Sequence, residues 1–316
     1  MATETVTAPR DGQPPPPPHV ARVHVPARSI RSELRAIQVV WRRELIRFSR
    51  DRLRILTSLI QPFLFLFVLG TGLSTLARTH GINFRTFIYP GVLCMAVMFT
   101  AMFSAASIVW DREFGFLREM MVAPVRRSSI VLGKCLGGAT VATFQGLIVI
   151  AISPLVGVPY QLGLIIELLA LAPLVGVPYY PPLIVGIFAL QLLLAFAITA
   201  FGVMIAVRIK QMQSFMGVMQ MVVMPMFFIS GALFPAAGLP VWLTILNRLD
   251  PLTYAVNPMR SVVFAQLNIS AHARAALTPP ITWFGWAVPG LLCAGVVLLL
   301  GLVMLGIAIA EFSRVE

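Results

Sequence analysis

The chain has 316 residues, 58% of them apolar and 11% charged, and carries a net charge of +12 with a pI near 10.9. Soluble domains are about 25% charged, so the composition excludes a soluble globule and indicates a polytopic membrane protein. Arginine supplies 22 of the 24 basic residues, and these flank apolar runs, which makes anionic lipid headgroups the expected counter-charge and argues against nucleic acid.

Residues 1–30 hold five consecutive prolines, Pro14 to Pro18, and no apolar h-region. They read as a disordered, partly polyproline-II cytoplasmic tail and not as a cleavable signal peptide. Over residues 31–54, Leu34, Ile37, Trp41, Leu45 and Phe48 recur at spacings of three and four, among eight arginines and the acids Glu33, Glu44 and Asp51. That pattern predicts an amphipathic interfacial helix. Trp41 is expected at headgroup depth, with Arg42, Arg43 and Arg47 on lipid phosphates.

Apolar runs then predict six transmembrane helices at about 55–77, 86–110, 128–153, 183–207, 215–234 and 284–310. Pro62 and Pro225 lie inside two of them, and Lys134 is close enough to the start of the third to snorkel. Met212, Met216, Met219, Met221, Met224 and Met226 crowd the fifth and its approach, suiting either ordinary helix packing or irregular apolar ligands. With the N-terminus inside, nineteen basic residues fall on the cytoplasmic side and five (Arg78, Arg85, Arg248, Arg260 and Arg274) outside, so both termini are expected in the cytoplasm.

The heptapeptide Pro-Leu-Val-Gly-Val-Pro-Tyr occurs at 154–160 and again at 173–179. A seventh span between the copies would leave the charge count unchanged. The segment is nevertheless short, bounded by prolines, and would place Glu167 in lipid at a cost of about 2–3 kcal/mol. We read 154–182 as an enlarged extracellular loop.

Two stretches stand out. Asp111 to Arg127, Asp-Arg-Glu-Phe-Gly-Phe-Leu-Arg-Glu-Met-Met-Val-Ala-Pro-Val-Arg-Arg, is a charged island between two spans. On a helical wheel Phe114, Phe116, Leu117, Met120 and Met121 share one side, with Asp111, Arg112, Arg118 and Glu119 opposite and Glu113 out of place. Pro124 ends that helix. Farther on, 228–260 reads Phe-Ile-Ser-Gly-Ala-Leu-Phe-Pro, Leu-Pro-Val-Trp-Leu, then Asn-Arg-Leu-Asp-Pro-Leu-Thr-Tyr-Ala-Val-Asn-Pro-Met-Arg. Gly231, Pro235, Gly238 and Pro240 break the helix there, and Asp250-Pro251 and Asn257-Pro258 mark turns. Irregular backbone at that depth must pack in protein or face water.

Both stretches resemble those of ABC-2 type permeases, the first especially the daunorubicin-exporter-like drug-resistance branch, over roughly residues 30–314. The resemblance implies an all-α half-transporter of six spans with an N-terminal interfacial helix, the type V exporter arrangement. Residues Asp111, Arg112, Glu113, Phe114, Gly115, Phe116, Leu117, Arg118 and Glu119 would form a segment docking on a separate ABC ATPase subunit. The region 235–283 would be a re-entrant outer gate, with Gly231, Pro235, Pro251, Tyr254 and Pro258 as its candidate residues. A second permease half, identical or homologous, completes the pathway in that family.

This chain has no phosphate-binding loop of its own, since Gly133-Lys134 is followed by Cys135 and preceded by Ser128 where the first glycine belongs. No His or Cys cluster has metal spacing, and Cys94, Cys135 and Cys293 fall inside spans. ATP and Mg²⁺ are therefore expected on the partner subunit, none is expected on this chain, and it is not expected to be an enzyme alone. Export of a hydrophobic or amphipathic compound, a drug or a lipid, across the cell membrane is the expected function. Polysaccharide export by a related branch, a secondary transporter and a membrane anchor are the alternatives.

Overall fold

The computed structural model describes residues 29–73, 84–122, 125–152, 181–234, 240–265, 277–283 and 286–314. The proline-rich tail, nearly all of the duplicated-heptapeptide loop and Pro235 lie outside them.

A reciprocal cap starts helix α1, Ile30–Arg50: the Ser32 amide donates to the Ser29 hydroxyl and the Ser29 amide to the Ser32 hydroxyl, both at 3.1 Å. Asp51 ends α1 and caps α2, its Oδ1 accepting from the Arg54 amide at 3.0 Å. One residue thus sets the elbow between α1 and the helix of the first span. Helix α2, Arg52–Leu64, continues through a π-turn, Phe65–Leu69, to Gly72. The π-turn follows Pro62, whose missing amide disturbs the helical ladder.

Helix α3 (Phe84–Glu113) is the axis of the molecule. It is apolar on every face and correspondingly buried on every face: Ile88, Val92, Met95, Met98, Ala101, Met102 and Ile108 are all essentially inaccessible. Short α4 (Phe116–Val122) follows, then α5 (Arg127–Ile152), α6 (Pro181–Arg208) and α7 (Met212–Ile229). Helices α2, α5, α6 and α7 all pack on α3. Small residues allow the closest crossings, since a Cβ on Gly202 would come within 2.7 Å of the Ala105 Cβ.

Next come α8 (Val241–Leu249) and α9 (Thr253–Ala265), too short to cross a membrane. A two-residue antiparallel ladder, β1 (Thr282–Trp283) with β2 (Trp286–Ala287), precedes α10 (Gly290–Arg314). Among the described residues six helices are long and apolar enough to span a bilayer: Arg52–Leu69, Phe87–Glu113, Arg127–Ile150, Val185–Arg208, Met212–Ile229 and Gly290–Arg314. The protein is an all-α multi-pass membrane protein.

The helix of the first span is described as far as Gly72, and residues 74–77 of the expected span lie outside the described residues. Three details depart from the sequence reading. Pro258 sits inside α9 and not at a turn, although Asp250–Pro251 does form one. Arg260, counted among the basic residues outside, is a buried helical residue. Lys134 does not snorkel either: it is 3% exposed and turned into the protein.

Candidate functional site

Helix α1, the α3–α4 corner, the α6–α7 turn and the last residues of α10 gather at one end of the bundle, here the near end. At its centre, Lys134 of α5 donates from Nζ to Glu44 Oε1 of α1 at 3.0 Å, Asp111 Oδ2 of α3 at 2.6 Å and Ser107 Oγ at 3.0 Å. Arg43 Nη2 lies 2.7 Å from both Asp111 oxygens, and Arg47 Nη1 is 3.6 Å from Oδ1 with its guanidinium 4.9 Å from the Trp110 ring centre. Two carboxylates face Lys134 and Arg43 with Arg47 behind, so the buried charges are compensated. Opposite them, α1 approaches α5 through glycines: a Cβ on Gly137 would lie 2.7 Å from the Glu44 Cβ, and one on Gly133 2.7 Å from the Val40 Cβ.

Three of the expected anchors of the first helix also make contacts within the protein. Arg43 and Arg47 bind the protein's own Asp111 and Trp110, and the half-buried Trp41 donates from Nε1 to Thr140 Oγ1 at 3.1 Å. Arg42 is exposed, whereas Trp41, Arg43 and Arg47 are half-buried.

The 111–127 segment is also not one amphipathic helix. Helix α3 ends at Glu113, and Gly115 adopts φ +79°, a left-handed conformation that glycine accepts readily, before α4 begins. The break reorients the side chains. Asp111 is buried in the ion cluster and Leu117 in the apolar core, so neither offers a surface to a partner. Arg112 donates to the carbonyls of Ile209 (2.8 Å) and Val207 (2.9 Å), closing the end of α6, while Glu113 Oε1 accepts from the Met212 amide (2.7 Å) at the start of α7. These two residues tie the corner to the α6–α7 turn. Phe114 and Phe116 remain exposed, at 71% and 52%, with Glu119 exposed beside them. The Arg118 side chain lies outside the described residues.

Two cavities flank the corner. One, of about 910 Å³, is lined by charged groups including Arg112, Glu113, Arg208, Lys210 and Glu311. The other, of about 490 Å³, opens between α2, α3 and α7. Phe99, Phe103, Trp110, Met212 and Met216 make it largely apolar, with Asp51, Arg54, Thr57, Ser58, Gln61 and Thr100 as its charged and polar groups. That balance suits a hydrophobic or amphipathic molecule.

At the far end, Gly231 turns the chain with φ +75° and its carbonyl accepts from Arg260 Nη2 at 2.8 Å. Buried Tyr254 donates to the Arg248 carbonyl (2.8 Å) and accepts from Trp283 Nε1 (3.0 Å), while Pro258 is buried beneath. Gly231, Pro251, Tyr254 and Pro258 thus cluster around α8 and α9, together with Arg260, which was not among the candidate gate residues. Burial pushes the Asp250 carboxyl up to about 7, against the Leu252 amide that it accepts at 3.0 Å.

Among the described residues no group of three or more His, Cys, Asp or Glu side chains is placed to hold a metal ion. Comparison with known proteins gives the fold a family. A protein of Cyanophora paradoxa described as a transport permease, ycf38, is 27% identical over 70% of this chain and 72% of its own length. Nodulation protein J of Rhizobium leguminosarum bv. viciae is 26% identical over 74% of this chain and 85% of its own. A Mycobacterium tuberculosis protein described as a doxorubicin resistance ABC transporter permease, DrrC, is 26% identical over 69% and 73%. The profile of the ABC-2 type transporter family matches residues 35–264, from the interfacial helix through α9, and the chain therefore belongs to that family.

Proposed function

We propose that this chain is the membrane subunit of an ATP-driven exporter of hydrophobic or amphipathic compounds, with the near end in the cytoplasm. The observation that carries the reading is the α3–α4 corner: two phenylalanines stand exposed where the central buried helix leaves the bundle, on a turn braced by Arg112 and Glu113. Exposed aromatic pairs on a rigid support are the usual anchors of protein docking. The partner is a separate ABC ATPase subunit that binds ATP and Mg²⁺. Phe114 and Phe116 fill its groove, and Glu119 and Arg118 set the register.

The cavity between α2, α3 and α7 is this chain's half of the substrate path. A second permease half covers the exposed apolar faces of α2, the π-turn after it and α7, which carry Leu56, Ile60, Phe67 and Met221. The relative described as a doxorubicin resistance permease supports a drug-like substrate. A proton-coupled mechanism is less favoured, since the buried acids among the described residues are Glu44 and Asp111, both ion-paired at the near end, and Asp250 outside the spans.

The test is co-purification with the ATPase subunit and assay of drug-stimulated ATP hydrolysis. Phe114→Ala/Phe116→Ala should weaken docking about thirtyfold, equivalent to about 2 kcal/mol, and uncouple transport without unfolding the spans. Unchanged association and transport in that variant would refute the assignment.

A further inference from the structure

Arg260 has the lowest exposure of any arginine among the described residues, 4%, and no carboxylate pairs with it there. Its guanidinium lies 4.4 Å from the Phe87 ring centre and donates from Nη2 to the Gly231 and Ala232 carbonyls, at 2.8 and 3.1 Å. Its Nε has no hydrogen-bond partner. A buried cation held only by dipoles and a ring face is costly unless an anion completes its surroundings.

The space for that anion is beside it. Arg260 lines a polar cavity of about 80 Å³ between α8, α9 and residues 279–282, with Arg248, Asn247, Asn257 and Thr282 among its other walls. Both ionisable groups in the lining are cationic. The volume admits one small oxyanion and not a drug-sized molecule, for which cavities of about 300–1,000 Å³ are typical. Asn257 and Pro280 also line a second cavity, an apolar groove of about 640 Å³ between α6, α9 and α10. Leu190, Leu193, Val262 and Leu291 face it, and no charged side chain does. Head and tail sites therefore adjoin.

We propose that the far end binds an anionic phospholipid, its phosphate between Arg260 and Arg248 and an acyl chain in the groove. The groove opens between α6 and α10, whose outward Phe188, Leu192, Leu291 and Leu298 form an exposed apolar surface facing the bilayer. A membrane lipid thus reaches it laterally. The site shares no lining residue with the α2–α3–α7 cavity, so it stands independently of the transport reading.

The test uses the purified full-length chain in mild detergent, with native mass spectrometry and thermal melting as readouts. The probes are phosphatidylglycerol, phosphatidylcholine with the same chains, and inorganic phosphate. Phosphatidylglycerol should be retained preferentially and raise the melting temperature. Arg248→Gln, on the exposed side of the cavity, should cut that retention about tenfold, the loss expected for one charge-assisted hydrogen bond, and Arg248→Lys should restore most of it. Ala189→Trp, which fills the groove from an exposed position, should lower retention without touching the head site. Equal retention of the two lipids, or no effect of Arg248→Gln, would overturn the proposal. A full stabilising effect of inorganic phosphate that Ala189→Trp leaves intact would reassign the cavity to a free anion.

Discussion

Replacing Lys134 by methionine tests the near-end ion cluster most directly. The substitution keeps length and apolar bulk while removing one cation that donates to Glu44, Asp111 and Ser107. Asp111 retains Arg43 and Arg47, but Glu44 loses its only ion-pair partner among the described residues, with its side chain 5% exposed. Stripping one partner from a buried pair costs about 3–5 kcal/mol. For a chain of this size that corresponds to a fall of order 10 °C in melting temperature, followed by tryptophan fluorescence in detergent. Lys134→Met combined with Glu44→Leu removes both charges, and a well-packed apolar replacement of an ion pair is about neutral. The double variant should therefore melt well above Lys134→Met. Were the single variant to melt like wild type, or the two losses simply to add, the cluster would not be holding α1 to the bundle.

Two further outcomes follow from the packing and from the far end. Gly137→Ala should cost about 1–3 kcal/mol by pushing a methyl into Glu44, and hydrogen exchange in α1 should speed up, whereas Gly186→Ala, with open space around its Cβ, should not show this. Asp250 titrates near 7 in the folded chain against a reference of 3.8, so the folded state holds the proton more tightly. Its contribution is most favourable below about pH 4 and declines as pH rises to about 7, by about 4 kcal/mol at most. Asp250→Asn keeps the acceptor for the Leu252 amide and should flatten that decline, gaining melting temperature at pH 8 over wild type but not at pH 4.

The spans were legible because hydropathy is a local property, and the bilayer demands about twenty apolar residues wherever the chain crosses. The ion cluster was not, because residues 44, 111 and 134 meet only after three helices pack. One signal was present: Glu44 stands three residues after Trp41 and four before Phe48, on the apolar stripe of α1, where an acid requires a partner. The helical wheel drawn through 111–122 failed at Gly115. A single left-handed residue changes the phase of everything after it, which sent Leu117 into the core and left Phe116 outside, next to the exposed Phe114 that precedes the break. Arg260 was misplaced because Asn257-Pro258 reads as a turn, whereas α9 runs on through Pro258 in its second turn at the loss of one backbone hydrogen bond.

The length of α3 has a mechanical consequence. Its 30 residues form a rod about 45 Å long, and its two extremities touch the two irregular regions of the molecule. At one extremity Arg112 and Glu113 grip the α6–α7 turn; toward the other Gly91 packs against the Ala232 backbone, beside the carbonyls that hold Arg260. Pivoting the rod by about 5° at the first contact would sweep Gly91, about 33 Å away, through about 3 Å. Displacement applied beneath the membrane would thus reach the opposite leaflet by leverage, through a continuous backbone, with no sequence of rotamer changes in between.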